Sequence, residues 1–358
     1  MGTMMYDKWK MEDLYSKYKG FQTPTAKILV GDSGIDLIGR LNAQIDSLSI
    51  SLSMDTTNSV SFNIVNAYDS KSHSFNSSVM DQLVLGNLLK VKLGYSSSME
   101  QIFTGFIYAV KVDFSDMATL SVTALDVRRV MEDSVKKAVS WKYTTYSEIF
   151  SQVMQPYKKL YSKLIVDQTT SNAVPAITQN ESDLAFCKRL ATEGNREFFV
   201  FDDVVYFRRK SKKAAVTTLT WGKDLISFSK ESIYVNQKVT ILGMKKDGKE
   251  QVSATAEVKT DSKVKQVVSG DTGQTQSSPT SDSKDKAAEK AAKKAAALKK
   301  KKQSGQGTCV GLPQLLPGRS VTITGLESRL NGDYRIDSVS HSFGSDGFQT
   351  SFGIGGFD

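Results

Sequence analysis

The sequence predicts a mainly β protein with a small α/β region, an α+β fold in which two similar antiparallel β-barrel domains flank an α/β insert. Alternation of apolar and polar residues, which is typical of half-buried strands, recurs towards both ends of the chain. Helical periodicity replaces it in residues 136–215. Of the 358 residues, 39% are hydrophobic and 24% are charged, so there is enough apolar material for more than one folded domain.

The clearest strand signal lies in residues 47–54. Leu48, Ile50 and Leu52 alternate with serines, and a period of two places their side chains on one face of a strand. The same alternation returns at residues 60–64 after a polar, turn-rich gap. Several short strands of this kind, each with one polar face, favour a small antiparallel barrel or sandwich.

Two helices are predicted in the middle of the chain. Thr145 followed by Glu148 is a capping-box pattern at the start of the first helix. Asn180 followed by Asp183 is a second N-terminal signal, and Gly194 ends the helix that it opens. A two-stranded hairpin is predicted to follow, which makes this part of the chain a small α/β region.

Two distant stretches share one order of features, which indicates an internal repeat. In each stretch a glycine opens a long strand that ends at a phenylalanine before a polar turn. These residues are Gly105 and Phe114 in the first stretch, and Gly332 and Phe343 in the second. A shorter strand precedes each glycine. The repeat predicts one β-domain that is used twice.

These signals divide the chain into five segments. The predicted segments are an N-terminal arm (1–24), a first β-barrel domain (25–135), a small α/β domain (136–215), a second β-barrel domain (216–260 with 307–358) and a low-complexity insert rich in Lys and Ala (261–306). The insert has too few large apolar residues to offset chain entropy, so we expect it to be disordered or to form a solvated helix.

Most of the formal net charge of +9 lies in this insert. Residues 281–303 hold nine lysines against three acidic residues, and the rest of the chain is close to balanced. Two interpretations of the tract stay open. It is either a solvated, flexible segment or a surface for sequence-independent contact with DNA, a membrane or an acidic partner.

Residue types that perform catalysis or bind metals are scarce and separated. Cys187 is predicted on the apolar face of a helix and Cys309 in a loop, and His341 lies in a strand without a second His or Cys nearby. Asp202 and Asp203 are adjacent in a predicted turn, where carboxylates usually serve the turn. We therefore expect no enzyme activity, no cofactor and no metal. No apolar run approaches the roughly 18 residues of a membrane-spanning helix.

Three motifs together point to a family. They are the capped helix with its acidic pair, the glycine that opens the first long strand, and the C-terminal strand. Their residues are Asn180, Glu181, Asp183, Leu184, Phe186, Leu190, Gly105, Gly332, Tyr334 and His341. In order and spacing these motifs resemble the phage late control protein D family, which includes the baseplate hub proteins of contractile tails and the N-terminal hub part of type VI secretion spike proteins. The resemblance covers residues 25–358 apart from the insert.

The resemblance implies a structural baseplate hub of a contractile phage tail or a tail-like injection particle, assembled in the bacterial host cytoplasm. Two similar barrels in each subunit of a homotrimer would form a ring with pseudo-sixfold symmetry. The tail tube protein ring would lie on one side, a separate trimeric spike on the other, and other baseplate proteins around it. The spike is expected as a separate chain because no spike domain follows the second barrel. DNA contact would be limited to passage or to weak contact with Lys284–Lys302.

Two other functions stay open on the residues alone. A cell-wall hydrolase of a tail tip would need paired carboxylates or a Cys/His pair in a cleft. A nucleic-acid-binding protein would use the basic tract of residues 281–303.

Overall fold

The structure is a computed structural model of the chain. It describes residues 7–115, 118–134, 138–142, 145–170, 176–210, 215–245, 248–259, 265, 267, 273–278 and 281–355.

The helices are short except for the last one. Their bounds are α1 Met11–Lys17, α2 Ser77–Met80, α3 Val127–Glu132, α4 Tyr146–Val153, α5 Asp183–Glu193 and α6 Lys284–Lys302, with 3₁₀ turns at Lys19–Phe21 and Gln155–Leu160. In the part of the chain that the structure describes, no helix combines the length and apolar character needed to cross a bilayer.

Strands make up most of the regular structure. Their bounds are β1 Pro24–Val30, β2 Ile35–Asp36, β3 Ile45–Ser53, β4 Ser59–Ile64, β5 Tyr68–Asp69, β6 Ser74–Phe75, β7 Leu88–Tyr95, β8 Ser98–Phe114, β9 Ala118–Leu125, β10 Val139–Trp141, β11 Lys163–Val166, β12 Ile177–Gln179, β13 Glu197–Phe201, β14 Val204–Arg208, β15 Thr218–Thr220, β16 Leu225–Ser232, β17 Asn236–Met244, β18 Gln251–Lys259, β19 Gly273–Ser277, β20 Gln303–Val310, β21 Ser320–Thr324, β22 Gly332–Gly344 and β23 Gly347–Gly355. The predicted mainly β, α+β fold class is confirmed.

The chain divides into two compact units. Unit 1 comprises residues 1–226 with 308–352, and unit 2 comprises residues 227–307 with 353–358. Unit 1 is built on a large sheet in which consecutive neighbours are β23, β22, β3, β4, β9, β8, β7, β1 and β2, with β21 beside β22 and β15 beside β21.

The internal repeat corresponds to two antiparallel meanders in this sheet. The first meander is β7–β8–β9 and the second is β21–β22–β23, each with a long middle strand. β3 joins them, because one edge of β3 pairs with β4 and the other pairs with β22. The period-two prediction for β3 is confirmed, since Leu48, Ile50 and Leu52 are buried and the serines between them are exposed. The division into two separate barrels remains a prediction.

The α/β region of unit 1 packs two helices on the small sheet β11–β14–β13. The predicted capping box is confirmed at α4. The Thr145 side chain accepts a hydrogen bond from the amide of Glu148, and the Glu148 side chain accepts one from the amide of Thr145. Phe150 on α4 stacks on Phe207 of β14, with ring centroids 4.4 Å apart. The cap of α5 differs from the prediction: Ser182, not Asn180, accepts the hydrogen bond from the amide of Ala185.

Unit 2 holds the three-stranded sheet β18–β17–β19 and the helix α6. β17 and β18, which the sequence assigned to the second barrel, therefore pair with β19 rather than with the strands of unit 1. Of the two alternatives expected for the insert, a disordered chain or a solvated helix, the described part forms the helix α6, which is solvated only in part because Ala287, Ala291 and Ala295 are buried on this sheet. The rest of that expectation falls on residues 261–264, 266, 268–272, 279 and 280, which lie outside the described residues.

Candidate assembly surface

The two halves of β8, the middle strand of the first meander, pair with different strands. Its N-terminal half pairs with β7, from Tyr95 opposite Ser98 to Leu88 opposite Phe106. Its C-terminal half, residues 106–114, pairs with β9 on the opposite edge. β7 stops pairing with β8 at Phe106, and among the described residues no other strand pairs with residues 109–114 on that edge. This half of β8 therefore presents an open strand edge.

The open edge of β8 is apolar on the face that leads into the core. Val112 lies opposite Leu120 in the β8–β9 ladder, and residues opposite one another share a face of the sheet. Leu120 is fully buried, whereas Val112 is 43% exposed and Phe114, two residues further on, is 62% exposed. The apolar face of the sheet therefore extends to the edge of β8, where Val112 and Phe114 are exposed to water. An exposed apolar surface of this kind is typical of an interaction site.

An aromatic cluster supports the end of this edge. The ring of Phe114 meets Tyr68 edge-on, with centroids 5.0 Å apart, and lies 5.7 Å from the ring of Phe75. Tyr68 and Phe75 belong to the small β5–β6 hairpin and are themselves 5.0 Å apart. The three rings fix the tip of β8 in an extended position although its outer edge is open.

The middle strand of the second meander is covered where β8 is open. β21 pairs with the start of β22, and β3 then takes over along residues 338–344, with Phe343 opposite Leu48. When the two meanders are superposed by Phe114 and Phe343, residues 338–344 of β22 correspond to residues 109–115 of β8. The chain supplies β3 for the second meander and, among the described residues, no equivalent strand for the first.

A strand resembling β3 exists in the chain, and sequence reasoning did not connect the two. Residues 226–229 of β16 have the order Ile-Ser-Phe-Ser, and residues 48–51 of β3 have the order Leu-Ser-Ile-Ser. β16 is the end strand of its sheet, and Ile226 is 53% exposed. The shared apolar–serine alternation was the signal that could have linked these strands.

A buried ion pair fixes the end of β3, and sequence reasoning missed it. Asp126 and Arg128 are each 1% exposed, and the Arg128 Nη2 donates to Asp126 Oδ2 at 2.7 Å. The Nη1 atom of Arg128 donates to the carbonyl of Ser53 at 3.1 Å, and the amide of Asn58 donates to Asp126 Oδ2 at 3.0 Å. The pair therefore joins the end of β3, the start of β4 and the cap of α3 in one network.

The acidic pair of the family motif has structural partners. Asp183 is buried at the start of α5 and accepts hydrogen bonds from Tyr157 Oη at 2.6 Å and Gln179 Nε2 at 2.6 Å. Its own amide donates to Ser134 Oγ at 2.8 Å. A carboxylate at a helix N-terminus is also stabilised by the helix dipole. Asp183 thus ties α5 to three other segments.

The other motif residues around α5 make contacts of the same kind. Glu181 accepts a hydrogen bond from Arg189 Nε at 2.7 Å, and the amide of Asn180 donates to Glu181 Oε2 at 3.1 Å. A buried cluster with the strands of the α/β region contains Leu184, Phe186 and Leu190. The motif residues from 180 to 190 therefore lie together, and their contacts are those of a packed, capped helix.

The remaining motif residues lie in the two meanders. Gly105 lies inside β8, which begins at Ser98, and so does not open the strand as predicted. A Cβ atom on Gly105 would stand 2.3 Å from the carbonyl oxygen of Leu125, so this position requires glycine. Gly332, the first residue of β22, has a φ of +151° and open space around it. Tyr334 donates from its hydroxyl to the carbonyl of Leu330 at 2.7 Å.

The groups with catalytic potential are buried and apart. Burial lowers the pKa of His341 to about 3, and its Nδ1 lies 2.9 Å from Thr350 Oγ1. Cys309 lies in β20 rather than in a loop, which corrects the prediction, and burial raises the pKa of its thiol. Cys187 is buried on α5 as predicted.

Asp202 is the remaining acidic candidate. Desolvation by burial raises its pKa to about 6, and it accepts hydrogen bonds from Thr104 Oγ1 at 2.7 Å and Gln101 Nε2 at 3.0 Å. These bonds hold the β13–β14 turn against the N-terminal half of β8, where Phe103 also forms a β-bridge with Asp202. Within the described ranges, no three His, Cys, Asp or Glu side chains come together as a metal site would require.

The fold and the open strand edge define a mainly β protein with a twice-used meander. The family model described as the Alg8 N-terminal domain matches residues 22–344, and the chain belongs to this family. Among curated proteins, none matches the chain.

Solved structures of tail proteins have a similar fold. A tail protein from Neisseria meningitidis MC58 is 15% identical with a TM-score of 0.70, and the match covers 93% of this chain and 96% of that chain. The 43 kDa tail protein of prophage MuSo2 from Shewanella oneidensis is 16% identical with a TM-score of 0.71, over 92% of this chain and 98% of that chain. An Escherichia coli component of the type VI secretion system, described as structurally similar to tail proteins of bacteriophage T4, is 12% identical with a TM-score of 0.53, over 87% of this chain and 73% of that chain. The resemblance predicted from the motifs is confirmed in the fold.

Proposed function

We propose that the chain is a structural hub subunit of a contractile phage tail baseplate or a tail-like injection particle. Three copies form a ring of pseudo-sixfold symmetry that joins the tail tube to a separate central spike. The observation that carries the proposal is the fold likeness to two tail proteins, which extends over more than nine-tenths of this chain and of each of theirs. A likeness of that extent leaves little of the chain for an unrelated domain.

The two meanders give the ring its geometry. Inside one copy, β3 covers the outer half of β22. Around the ring, the equivalent half of β8, which no strand among the described residues covers, pairs with β16 of the next copy. Every long middle strand in the ring then has the same covering strand, supplied alternately from the same chain and from a neighbour. This alternation turns threefold symmetry into near-sixfold symmetry.

The physical basis of the contact is strand addition together with apolar burial. An open edge offers unpaired amide and carbonyl groups, which a strand of another copy satisfies. Val112 and Phe114 would be removed from water by the same contact. A stable interface of this kind buries roughly 1,200 Å² or more in total.

The partners follow from the role. The ring meets the tail tube protein on one side, a trimeric spike on the other and further baseplate proteins at its rim, in the baseplate of the virion or particle. We propose no catalytic step, because the buried acidic, thiol and imidazole groups are engaged in packing and hydrogen bonds. A cell-wall hydrolase is the rival, and clearing on a peptidoglycan gel that one Asp or Glu substitution abolishes would replace the hub proposal.

The native mass of the purified chain tests the proposal. Light scattering across a range of concentrations is expected to give a mass near three times 39.4 kDa. Class averages of the same sample in negative stain are expected to show a ring with threefold symmetry. A monomer or a dimer at every concentration would contradict the proposed ring.

A further inference from the structure

The positive charge of the chain is concentrated in unit 2. Residues 227–307 contain seventeen lysines and nine acidic residues, a net charge of +8 against +9 for the whole chain. The segment contains no arginine. Such an imbalance within one compact unit creates a field that attracts polyanions.

The fold holds many of these lysines in a fixed arrangement. α6 buries Ala287, Ala291 and Ala295, spaced four residues apart, against β17 and β18. A helix that is fixed along one side presents its remaining sides in a constant orientation. α6 is therefore an ordered scaffold and not a flexible tract.

Four lysines occupy one side of this scaffold, and we name them the lysine stripe: Lys286, Lys290, Lys293 and Lys294. Residues spaced by three or four on a helix are neighbours, and one turn rises about 5.4 Å. Lys290 Nζ donates to Ser278 Oγ at 2.8 Å, and Lys294 donates to the side-chain oxygen of Gln276. The stripe thus continues onto the exposed hydroxyl and amide side chains of β19 and onto the half-buried Ser278 that follows it.

Acidic neighbours reduce the positive charge of the lysine stripe but do not cancel it. Asp282 pairs with Lys286 at 2.7 Å and Glu289 with Lys293 at 2.8 Å, and Asp285 is exposed on the first turn of α6. Exposed pairs of this kind are weak and exchange readily for other ions. A polyanion can therefore replace these carboxylates.

We propose that the lysine stripe, together with β19, is a docking surface for the phosphate backbone of duplex DNA, without regard to base sequence. Side chains that end in ammonium, hydroxyl or amide groups commonly contact the phosphates of the DNA backbone. α6 and β19 contain no aromatic residue, so the surface lacks the rings that stack on unpaired bases, which favours a duplex over a single strand. A bilayer surface fits less well, because the apolar side of α6 is alanine already packed on the sheet. This inference is independent of the proposed hub function.

The test measures binding of the full chain to a fluorescently labelled 30-base-pair duplex during a salt titration. The stripe variant changes all four lysines to glutamine. Its charge-matched control changes the exposed Lys71, Lys158, Lys159 and Lys163 of unit 1 to glutamine. Each phosphate that the stripe variant no longer neutralises is expected to lower the slope of log affinity against log salt by about 0.9, and hence by roughly three to four in total.

At 100 mM salt we expect the stripe variant to bind at least about tenfold more weakly, the control variant within about twofold of wild type, and the variant with four arginines at the stripe to retain binding. Two duplexes of unrelated sequence should bind equally. Three results would each overturn the proposal: an equal reduction of affinity in the control variant, no binding by wild type at 50 mM salt, or displacement of the duplex by anionic phospholipid vesicles as effective as by unlabelled DNA. Circular dichroism of each variant checks that α6 is retained.

Discussion

The two meanders of unit 1 have the same strand order but end differently. The middle strand of the second meander, β22, is flanked by β21 and then by β3 along its outer half. The middle strand of the first meander, β8, is flanked by β7 and then by no described strand along residues 109–114. The difference lies in the covering strand: the chain supplies one for β22 and, among its described residues, none for the outer half of β8.

The same comparison explains where apolar surface is exposed. In the second meander, Phe343 lies opposite Leu48 of β3. In the first, the equivalent Phe114 is 62% exposed. Exposing an apolar side chain to water costs free energy. We therefore expect Phe114 to become buried when a partner strand is added at this edge.

The largest expected effect concerns the ion pair that fixes β3. Arg128→Met removes the cation from the buried Asp126 and the hydrogen bond to the carbonyl of Ser53. We expect the free energy of unfolding to fall by about 3–5 kcal/mol, because an uncompensated charge is left buried. Urea unfolding followed by tryptophan fluorescence measures the change.

The adjacent arginine provides a matched control for this prediction. Arg129 forms surface ion pairs with Glu132 and Asp133. Arg129→Met is expected to change the unfolding free energy by no more than about 1 kcal/mol. Equal effects of the two substitutions would show that the network at the end of β3 has no special role.

The second prediction compares the glycine that the sequence repeat marks in each meander. Gly105→Ala would press a methyl group against the carbonyl of Leu125, so we expect the free energy of unfolding to fall by about 2–3 kcal/mol. Gly332→Ala meets open space and incurs only strain at its positive φ, which we expect to cost about 1 kcal/mol. Thermal unfolding of the two variants measures the difference. A larger destabilisation in the Gly332 variant would mean that the two meanders are not packed as described.

The third prediction uses the covered strand. His341 on β22 is buried opposite Ile50 of β3, and burial lowers its pKa to about 3. The unfolded chain binds a proton at this residue below pH 6.5 while the folded chain does not, so stability falls as the pH drops from about 6.5 towards 3. Between pH 7 and pH 5 we expect the stability of wild type to fall by about 2 kcal/mol more than that of His341→Leu. Identical pH profiles in urea unfolding would show that His341 is hydrated and β22 uncovered.

Local patterns predicted the elements that local forces determine. The alternation at Leu48 and its neighbours gave β3 its correct face, and the capping box at Thr145 placed the start of α4. The glycines of the repeat marked the long strands of both meanders, although only Gly332 begins its strand and Gly105 lies inside β8. These signals depend only on residues near one another in sequence.

Features that depend on distant partners were not predictable in the same way. The pairing of β3 with β22 joins residues nearly three hundred positions apart, and no local pattern encodes that choice. The Asp126–Arg128 pair looks like an ordinary helix cap until Ser53 and Asn58 are brought to it. The alanine face of α6 was missed because small side chains give a weak hydrophobic signal that becomes informative only when the sheet beneath is known.

The candidate surface was predictable in kind but not in place. The motifs indicated a ring-forming hub, and an open strand edge is a common means by which β proteins pair with another chain. Which edge is open depends on where β3 goes, and that follows from the three-dimensional pairing. The residues Val112 and Phe114 therefore could not be selected from the sequence.

The most direct test of β8 as the assembly edge compares native masses by light scattering. The edge variant carries Val112→Lys and Phe114→Lys on the open side of β8. The control carries Tyr15→Lys and Val267→Lys, at two apolar residues that are 59% and 76% exposed elsewhere. We predict about three times 39.4 kDa for wild type and control, and 39.4 kDa for the edge variant. An edge variant that keeps the wild-type mass would contradict the assignment of β8 as the assembly edge.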